Sequence, residues 1–443
     1  LPQHRKRFLC MAPFLFLILI ILLIGCQTNE KPPQPVTIKI AGMYQEEYDN
    51  FYKKYLEVKF PYVTVEIVPY HRDGELGFLD QLKQTIHQEQ PDLIMTSNLL
   101  GSETITAGLF RSLEPYFKKD KVNLDAVLPG VVQLVRSYAP NGEIYGWAPA
   151  FGGELLYFNK QLFDRYHMDY PTNQMSWSDM LKTARTFPHR NERGESLYGL
   201  LVPGQTEPEL KIRMLINKAG TSEQVRLLDK NNRAPSLETN SWKEIWSSVI
   251  DAYKDGAISN IPVMDKNNQV IDIPNTEENY QLFLNEQAAM TLGGTRLIEA
   301  LSNQQKLEWA VASPPGTYLN LQLSSVWSIP TLSQHPDQAW EIIKFLTSEE
   351  MNRYRMGWDK YFLPIQTNLL DKRFGFPLVP YFSKEAALVD ETWNHLYFPD
   401  NQVFYENYAR LSQEEIKQIL AGGKSVDEAL GHLHEQLTPF AKK

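Results

Sequence analysis

Cysteine is nearly missing from this chain: of 443 residues only Cys10 and Cys26 carry a thiol. Nothing beyond position 26 can therefore join a disulfide framework or a thiolate metal site. Basic residues are also scarce, 44 Lys and Arg against 53 Asp and Glu, with no basic cluster. That argues against a nucleic-acid partner. Catalytic signatures are absent too: there is no G-x-S-x-G elbow, no H-E-x-x-H helix, no P-loop and no G-x-G-x-x-G. The nine histidines are scattered. His432 and His434 stand two apart on a predicted helix and point to different faces, so they read as surface. No enzyme, metal or cofactor is expected.

One long apolar run is present, residues 14–24, preceded by Arg5, Lys6 and Arg7. It has the length of a signal-peptide core and is short for a bilayer span. Extending it back through Phe8 would give a marginal membrane helix, but the residues after the run decide against that. "LIGC" puts Gly25 before Cys26, and the polar, proline-rich "QTNEKPPQP" comes next. The pattern resembles a bacterial lipobox, which makes Cys26 the lipid-modified first residue of the mature protein. More than one acyl chain is needed for stable anchoring, and residues 26–35 become an extended tether. Removing residues 1–25 takes three positive charges and no negative ones from a chain of net charge −9.

The body opens with "VTIKIAG", a strand ending at Gly42. In "EEYDNFYKKYLEVKF", Tyr48, Phe51, Tyr52, Tyr55 and Leu56 fall on one helical face. "TVEIVPY" is a strand, residues 75–89 a second amphipathic helix, and "DLIMTSN" a third strand. The alternation implies a parallel sheet with helices on both faces. Ligands of such sheets bind beyond the carboxyl ends of the strands. The residues there are Gly42-Met43-Tyr44 and Thr96-Ser97-Asn98, which would otherwise be ordinary turn residues. Further helices are predicted over 210–218 and 242–253, the second capped by Ser241. "DKNNRAPSLETNSW" reads as a hairpin, since it lacks the spaced acids of a calcium loop. "NEQAAMTLGGTRLIEAL" reads as helix end, strand, Gly-Gly turn and helix start. "SSVWSIP" is a strand, "DQAWEIIKFLTSEEMNRY" a helix, and the last 30 or so residues a helix pair split at Gly422-Gly423.

The stretch "YGWAPAFGGELLYFNKQLF", residues 145–163, combines strand-like ends with Pro149 and Gly152-Gly153, which weaken a sheet ladder. Together with "PDLIMTSN", "FLNEQAAMTLGGTRLI", "LEWAVASPPG", "SVWSIPTLSQHPDQAWEIIKFLTSEE" and "LPIQTNLL", it resembles, in order, the blocks of extracellular solute-binding family 1 of ABC importers, the maltose-binding-protein group. The resemblance spans nearly the whole chain. It implies an α/β, two-lobed periplasmic-binding-protein-like fold of type II, its ligand cleft between lobes joined by crossing strands. The implied lobes are 36–148 plus 326–350 and 149–325 plus 351–443. "APAFGGE" then sits at the crossing, where its glycines and Pro149 absorb backbone rotation.

The resemblance also implies a site. Its ligand-lining residues map to Tyr44, Ser97, Asn98, Phe151, Gly152, Gln205, Gly294, Arg296 and Trp327, with Trp147 flanking the cleft and Trp358 and Tyr361 at its rim. Trp147 and Phe151 would stack on a sugar ring, or else fill the core. Where sugar-binding members often carry Trp after the Gly-Gly pair, this chain has Thr295-Arg296. Arginine pairs with carboxylate or phosphate, which points to an acidic group on the ligand; a surface salt bridge would explain it equally. The expected function is a lipid-anchored, monomeric, extracellular protein that captures an oligosaccharide by hinge closure and delivers it to an ABC permease. A subunit of a membrane sensor kinase and a secreted glycan hydrolase are the alternatives.

Overall fold

The computed structural model describes residues 34–71, 77–96, 102–204, 207–229, 233–260, 277–302, 306–371, 374–387 and 402–441. In chain order its strands are β1 (Val36–Ala41), β2 (Val63–Ile67), β3 (Leu93–Thr96), β4 (Ala150–Gly152), β5 (Glu154–Asn159), β6 (Tyr198–Leu201), β7 (Ala288–Gly294), β8 (Trp309–Ala312), β9 (Gln322–Ser324), β10 (Val326–Ser328) and β11 (Leu363–Pro364).

The first lobe arises from its alternating pattern. β1 pairs in parallel with β2 and β3, placing Val36 opposite Val63 and Ile40 opposite Leu93. Parallel strands need crossovers, and the helices Gln45–Phe51, Lys53–Lys59 and Phe78–Glu89 provide them. The single helix expected over 46–60 is two, interrupted at Tyr52 (φ −123). β10 joins β3 antiparallel, so the sheet runs β10-β3-β1-β2. Where β1 ends, the chain passes very close to β3. A Cβ on Gly42 would lie 1.9 Å from the Met95 carbonyl oxygen, and Gly42 has φ +86. Only glycine fits there.

The second lobe holds the sheet β6-β7-β5-β8. Helix Trp177–Thr186 starts in a capping box, Ser176 and Asp179 exchanging side-chain and backbone hydrogen bonds. It buries Met180 and Leu181 completely, each contributing roughly 1.5–3 kcal/mol. Helix Asn240–Lys254 is capped by Thr239, whose hydroxyl accepts the Trp242 N–H, and not by Ser241 as the sequence suggested. The extended backbone of Thr239 (ψ 154) leaves its side chain free to reach back, whereas Ser241 already lies inside the helix. Gly293 and Gly294 close β7 itself, with no Gly-Gly turn. The helix expected over 337–354 is split into Pro336–Leu346 and Glu349–Arg355 by Ser348, which caps the second piece.

A third sheet, β11-β4-β9, joins the two. Only Gly153 separates β4 from β5, and only Ser325, at φ +54, separates β9 from β10. Each of these two strand pairs thus passes from the middle sheet into a lobe. On the first-lobe side, Trp147 and Trp327 exchange both backbone hydrogen bonds at 2.9 Å. Neither Gly152 nor Gly153 has a positive φ. Contact is what favours glycine here: a Cβ would stand 2.8 Å from the Phe382 ring at Gly153, closer than side chains allow, and a tight 3.2 Å from the Phe362 ring at Gly152.

Among the described residues, no helix is long and apolar enough to cross a membrane. One buried charge stands out. Lys211 is 2% exposed and donates to the Ser259 carbonyl at 2.6 Å. Burial pushes its ammonium down from about 10.5 to about 8.

Both contacts have measurable consequences for stability. Gly42→Ala must relieve both the clash with Met95 and a disfavoured φ, and should lose on the order of 2 kcal/mol or more in urea unfolding. An unchanged midpoint would contradict the close approach of β1 and β3. For Lys211, the unfolded chain holds its proton up to about pH 10.4 while the folded one releases it near 8. Between those values the unfolded state binds more protons, so stability rises with pH. Wild type should therefore gain ~3 kcal/mol relative to Lys211→Met across that window, measured by urea melts at pH 7.5 and 10.5.

Candidate functional site

A pocket of about 340 Å³ opens where the chain changes sheets, beside the ends of β4, β7 and β9. Gly152, Gly153 and Glu154 form one wall, Gly294 through Leu297 a second, and Asn320, Gln322, Tyr361 and Phe362 a third. Lys218 and Tyr280 complete it. A Cβ built on Gly294 would meet nothing within 4 Å, so this glycine faces open space. Its carbonyl is held by the buried Tyr157 hydroxyl at 2.9 Å.

The lining is polar. Lys218, on helix Pro208–Ser222, pairs with Glu154 at the start of β5. The Thr295 hydroxyl is buried and has no hydrogen-bond partner among the described residues. Burial, with the charge of Glu154 nearby, pushes the Tyr280 phenol well above its usual range. It stays protonated, a neutral hydroxyl in the wall.

Arg296 begins helix Arg296–Ser302, which continues from β7. Its Nη1 donates to the Tyr361 hydroxyl at 2.7 Å, and its guanidinium carbon lies 5.0 Å from the ring centroid. On the same helix, Glu299 pairs with Lys360 at 3.4 Å. Asp359 shapes the loop that carries Lys360 and Tyr361, its Oδ1 accepting the N–H groups of Tyr361 and Phe362 at 3.0 Å each. That loop comes after helix Glu349–Arg355, which rests on the first lobe. Tyr354 stacks on Tyr55 with centroids 4.6 Å apart, Trp358 lies 4.6 Å from Phe51, and Glu350 pairs with Lys59. Glu350, Tyr354 and Trp358 thus pack on first-lobe elements, whereas the expected boundary assigned residues from 351 onward to the second lobe. The Arg296–Tyr361 and Glu299–Lys360 contacts bridge the mouth of the pocket.

Of the residues singled out from sequence, Gly152, Gly294, Arg296 and Tyr361 line this pocket together. Trp147, Phe151 and Trp327 do not present ring faces to it, being 3%, 0% and 0% exposed. Each is covered edge-on by another ring: Trp147 by Phe117, Phe151 by Phe382, Trp327 by Tyr52. Of the two roles open to Trp147 and Phe151, ring stacking or core packing, they take the core one in this conformation, and Trp327, expected to line the ligand, is buried with them. Tyr44 is 69% exposed at the start of helix Gln45–Phe51, and the half-buried Trp358 is taken up by Phe51; neither lines the pocket. Ser97, Asn98, Gln205 and Cys26 lie outside the described residues. Glu154, Lys218, Tyr280, Asn320 and Gln322 were missed. The period-2 alternation of "NLQL" could have flagged Asn320 and Gln322 as one face of a strand edge.

The sequence profile described as "Bacterial extracellular solute-binding protein" matches residues 49–375. The chain belongs to that family. No curated protein sequence matches this solute-binding protein. Solved structures share its two-lobed fold. A sugar transporter of Rhizobium etli in an open conformation superposes with a TM-score of 0.64 at 19% identity, covering 91% of this chain and 99% of its own. The sugar-binding protein MalE of Xanthomonas citri gives 0.63 at 17%, covering 92% and 97%. A cyclic α-maltosyl-1,6-maltose binding protein of Arthrobacter globiformis gives 0.59 at 15%, covering 92% and 99%.

The bridging contacts are exposed and so weak, each worth under about 1 kcal/mol. Replacing both, with Tyr361→Ala and Lys360→Ala, should barely change the unfolding midpoint, since Tyr361 is 57% exposed. It should enlarge the radius of gyration of the ligand-free protein in small-angle scattering at low salt. An unchanged radius would mean that these contacts do not hold the two lobes together.

Proposed function

We propose that this solute-binding protein captures a carbohydrate, an oligosaccharide by preference, in the pocket at the sheet crossing and passes it to the permease of an ABC importer. Lipid on Cys26 would hold it at the outer face of the cell membrane, with the next residues as tether. One observation carries the reading: the pocket draws its walls from both sides of the crossing strands and lines them with an ion pair, two carboxamides and phenols. Sugar hydroxyls both donate and accept, and this mixture suits them. A ligand that touches both lobes is also what a closing hinge needs, since only differential contact shifts an open–closed equilibrium.

The similar folds named for sugar, MalE and cyclic maltosyl-maltose support the same substrate class. Glu154 is the one carboxylate among the described lining residues and is already paired with Lys218. Glycoside cleavage usually employs two carboxyl groups, so binding without turnover is the better reading.

The test is a thermal-shift screen of mono- and oligosaccharides on residues 27–443, followed by calorimetry. A true ligand at 100 times its Kd should stabilise the fold by about 2.7 kcal/mol. Asn320→Ala and Gln322→Ala should each weaken binding by roughly five- to tenfold through one lost hydrogen bond. If no saccharide raises the melting temperature while an amino acid or peptide does, the carbohydrate assignment is wrong.

A further inference from the structure

The pocket does not end at Lys218 and Asn320. Both residues also line an adjoining cavity of about 310 Å³, walled by Arg213, Met214, Asn217, Thr221 and Tyr405. Arg213, Asn217, Lys218 and Thr221 recur on one face of helix Pro208–Ser222 at helical spacing. The helix therefore forms a rail running from the pocket outward. Asn217 is fixed in place, accepting the Tyr408 hydroxyl at 3.1 Å.

Charge along this rail is one-sided. Arg296, Lys218 and Arg213 contribute three cations, and Glu154 is the one carboxylate among the lining residues of the two cavities. Glu154 is taken up by Lys218. Arg296 faces a neutral phenol, and the Arg213 Nε is buried without a hydrogen-bond partner among the described residues. A lane whose two guanidinium groups have no carboxylate partner among the described residues is unusual in a chain whose formal net charge is −9. Guanidinium groups recognise carboxylates bidentately, and in a partly desolvated trough that recognition is strong. Tyr405, on the far wall, offers a ring of the kind on which a sugar face packs.

We infer that the ligand is an acidic oligosaccharide, a chain of uronate-type sugars, lying along this lane with one end at Arg296 and a later ring at Arg213. The inference rests on the carbohydrate reading and adds the charge and the length of the ligand. Lys218, already neutralised by Glu154, marks the junction where a hydroxyl-rich ring passes between the two anionic contacts.

The probes are oligogalacturonates of one to four residues and neutral galacto-oligosaccharides of the same lengths, titrated calorimetrically at low and high salt. The acidic series should bind more tightly than the neutral one. Its affinity should rise about tenfold between two and four residues, as an Arg–carboxylate contact is added, and should fall with salt. In Arg213→Gln, checked for native folding by its melting temperature, the four-to-two affinity ratio should drop from about ten to about one. Neutral sugars binding as well as acidic ones would overturn the charge assignment. A ratio that Arg213→Gln leaves untouched would overturn the lane. If neither series binds and no saccharide shifts the melting temperature, the carbohydrate reading itself falls, which separates the two failures.

Discussion

The structure depends on how two strands change sheets. β4 runs into β5 through Gly153 alone, and β9 into β10 through Ser325 alone. On the first-lobe side the crossing is pinned by the paired backbone bonds of Trp147 and Trp327. A backbone that leaves one ladder must find partners in the next within a residue, because buried amides left unpaired are costly. β11 satisfies the outer edge of β4, and the carbonyl of Pro149, itself without an N–H to give, accepts from the Asn352 side chain at 2.8 Å. The crossing is thus held by hydrogen bonds on both edges yet only three strands wide.

That constraint explains where the pocket lies. Strands diverging into two different sheets leave a wedge that neither lobe's helices fill, and small residues keep it open. At Gly152 and Gly153 side chains from other segments press against the chain, whereas at Gly294 nothing does. The glycines therefore act in two ways: Gly152, Gly153 and Gly293 admit the rings of Phe362, Phe382 and Tyr280 against the chain, and Gly294 alone clears the pocket wall at the end of β7. The pocket is a consequence of topology, and its polarity comes from the side chains that happen to reach the wedge.

Much of the fold was legible in the sequence because it is written in long periodic segments. Tyr48, Leu56, Leu82 and Ile86 are buried on the helical faces that their spacing assigned them. The crossing sheet was harder, since β4, β9 and β11 have three, three and two residues, too few to show a period. Aromatic residues there were ambiguous for a physical reason: a crossing strand can turn its rings into the core or out to a cleft, and composition is the same in both cases. Trp147, Phe151 and Trp327 went inward. The pocket's ion pair was beyond sequence reasoning, because Glu154 and Lys218 are 64 positions apart and meet only after the sheet and a helix are assembled. Arg296 was legible because it departs from a pattern, standing where a related chain would often carry a ring.

The weak links across the pocket mouth fit this design. Driving an open–closed equilibrium from 1:99 to 99:1 takes about 5.5 kcal/mol of differential binding. Two exposed contacts, Arg296–Tyr361 and Glu299–Lys360, supply only a fraction of that. Stronger cross-links would hold the lobes together without a ligand and shut the pocket to entry. Weaker ones would leave the ligand to meet the whole cost of ordering the rim. Because Arg296 both bridges the mouth and lines the pocket, a ligand that draws its guanidinium inward exchanges a contact with Tyr361 for one with itself. With the acidic saccharide proposed above, entry and closure would be coupled through this single side chain, the net gain being the difference between a carboxylate and a phenol as its partner.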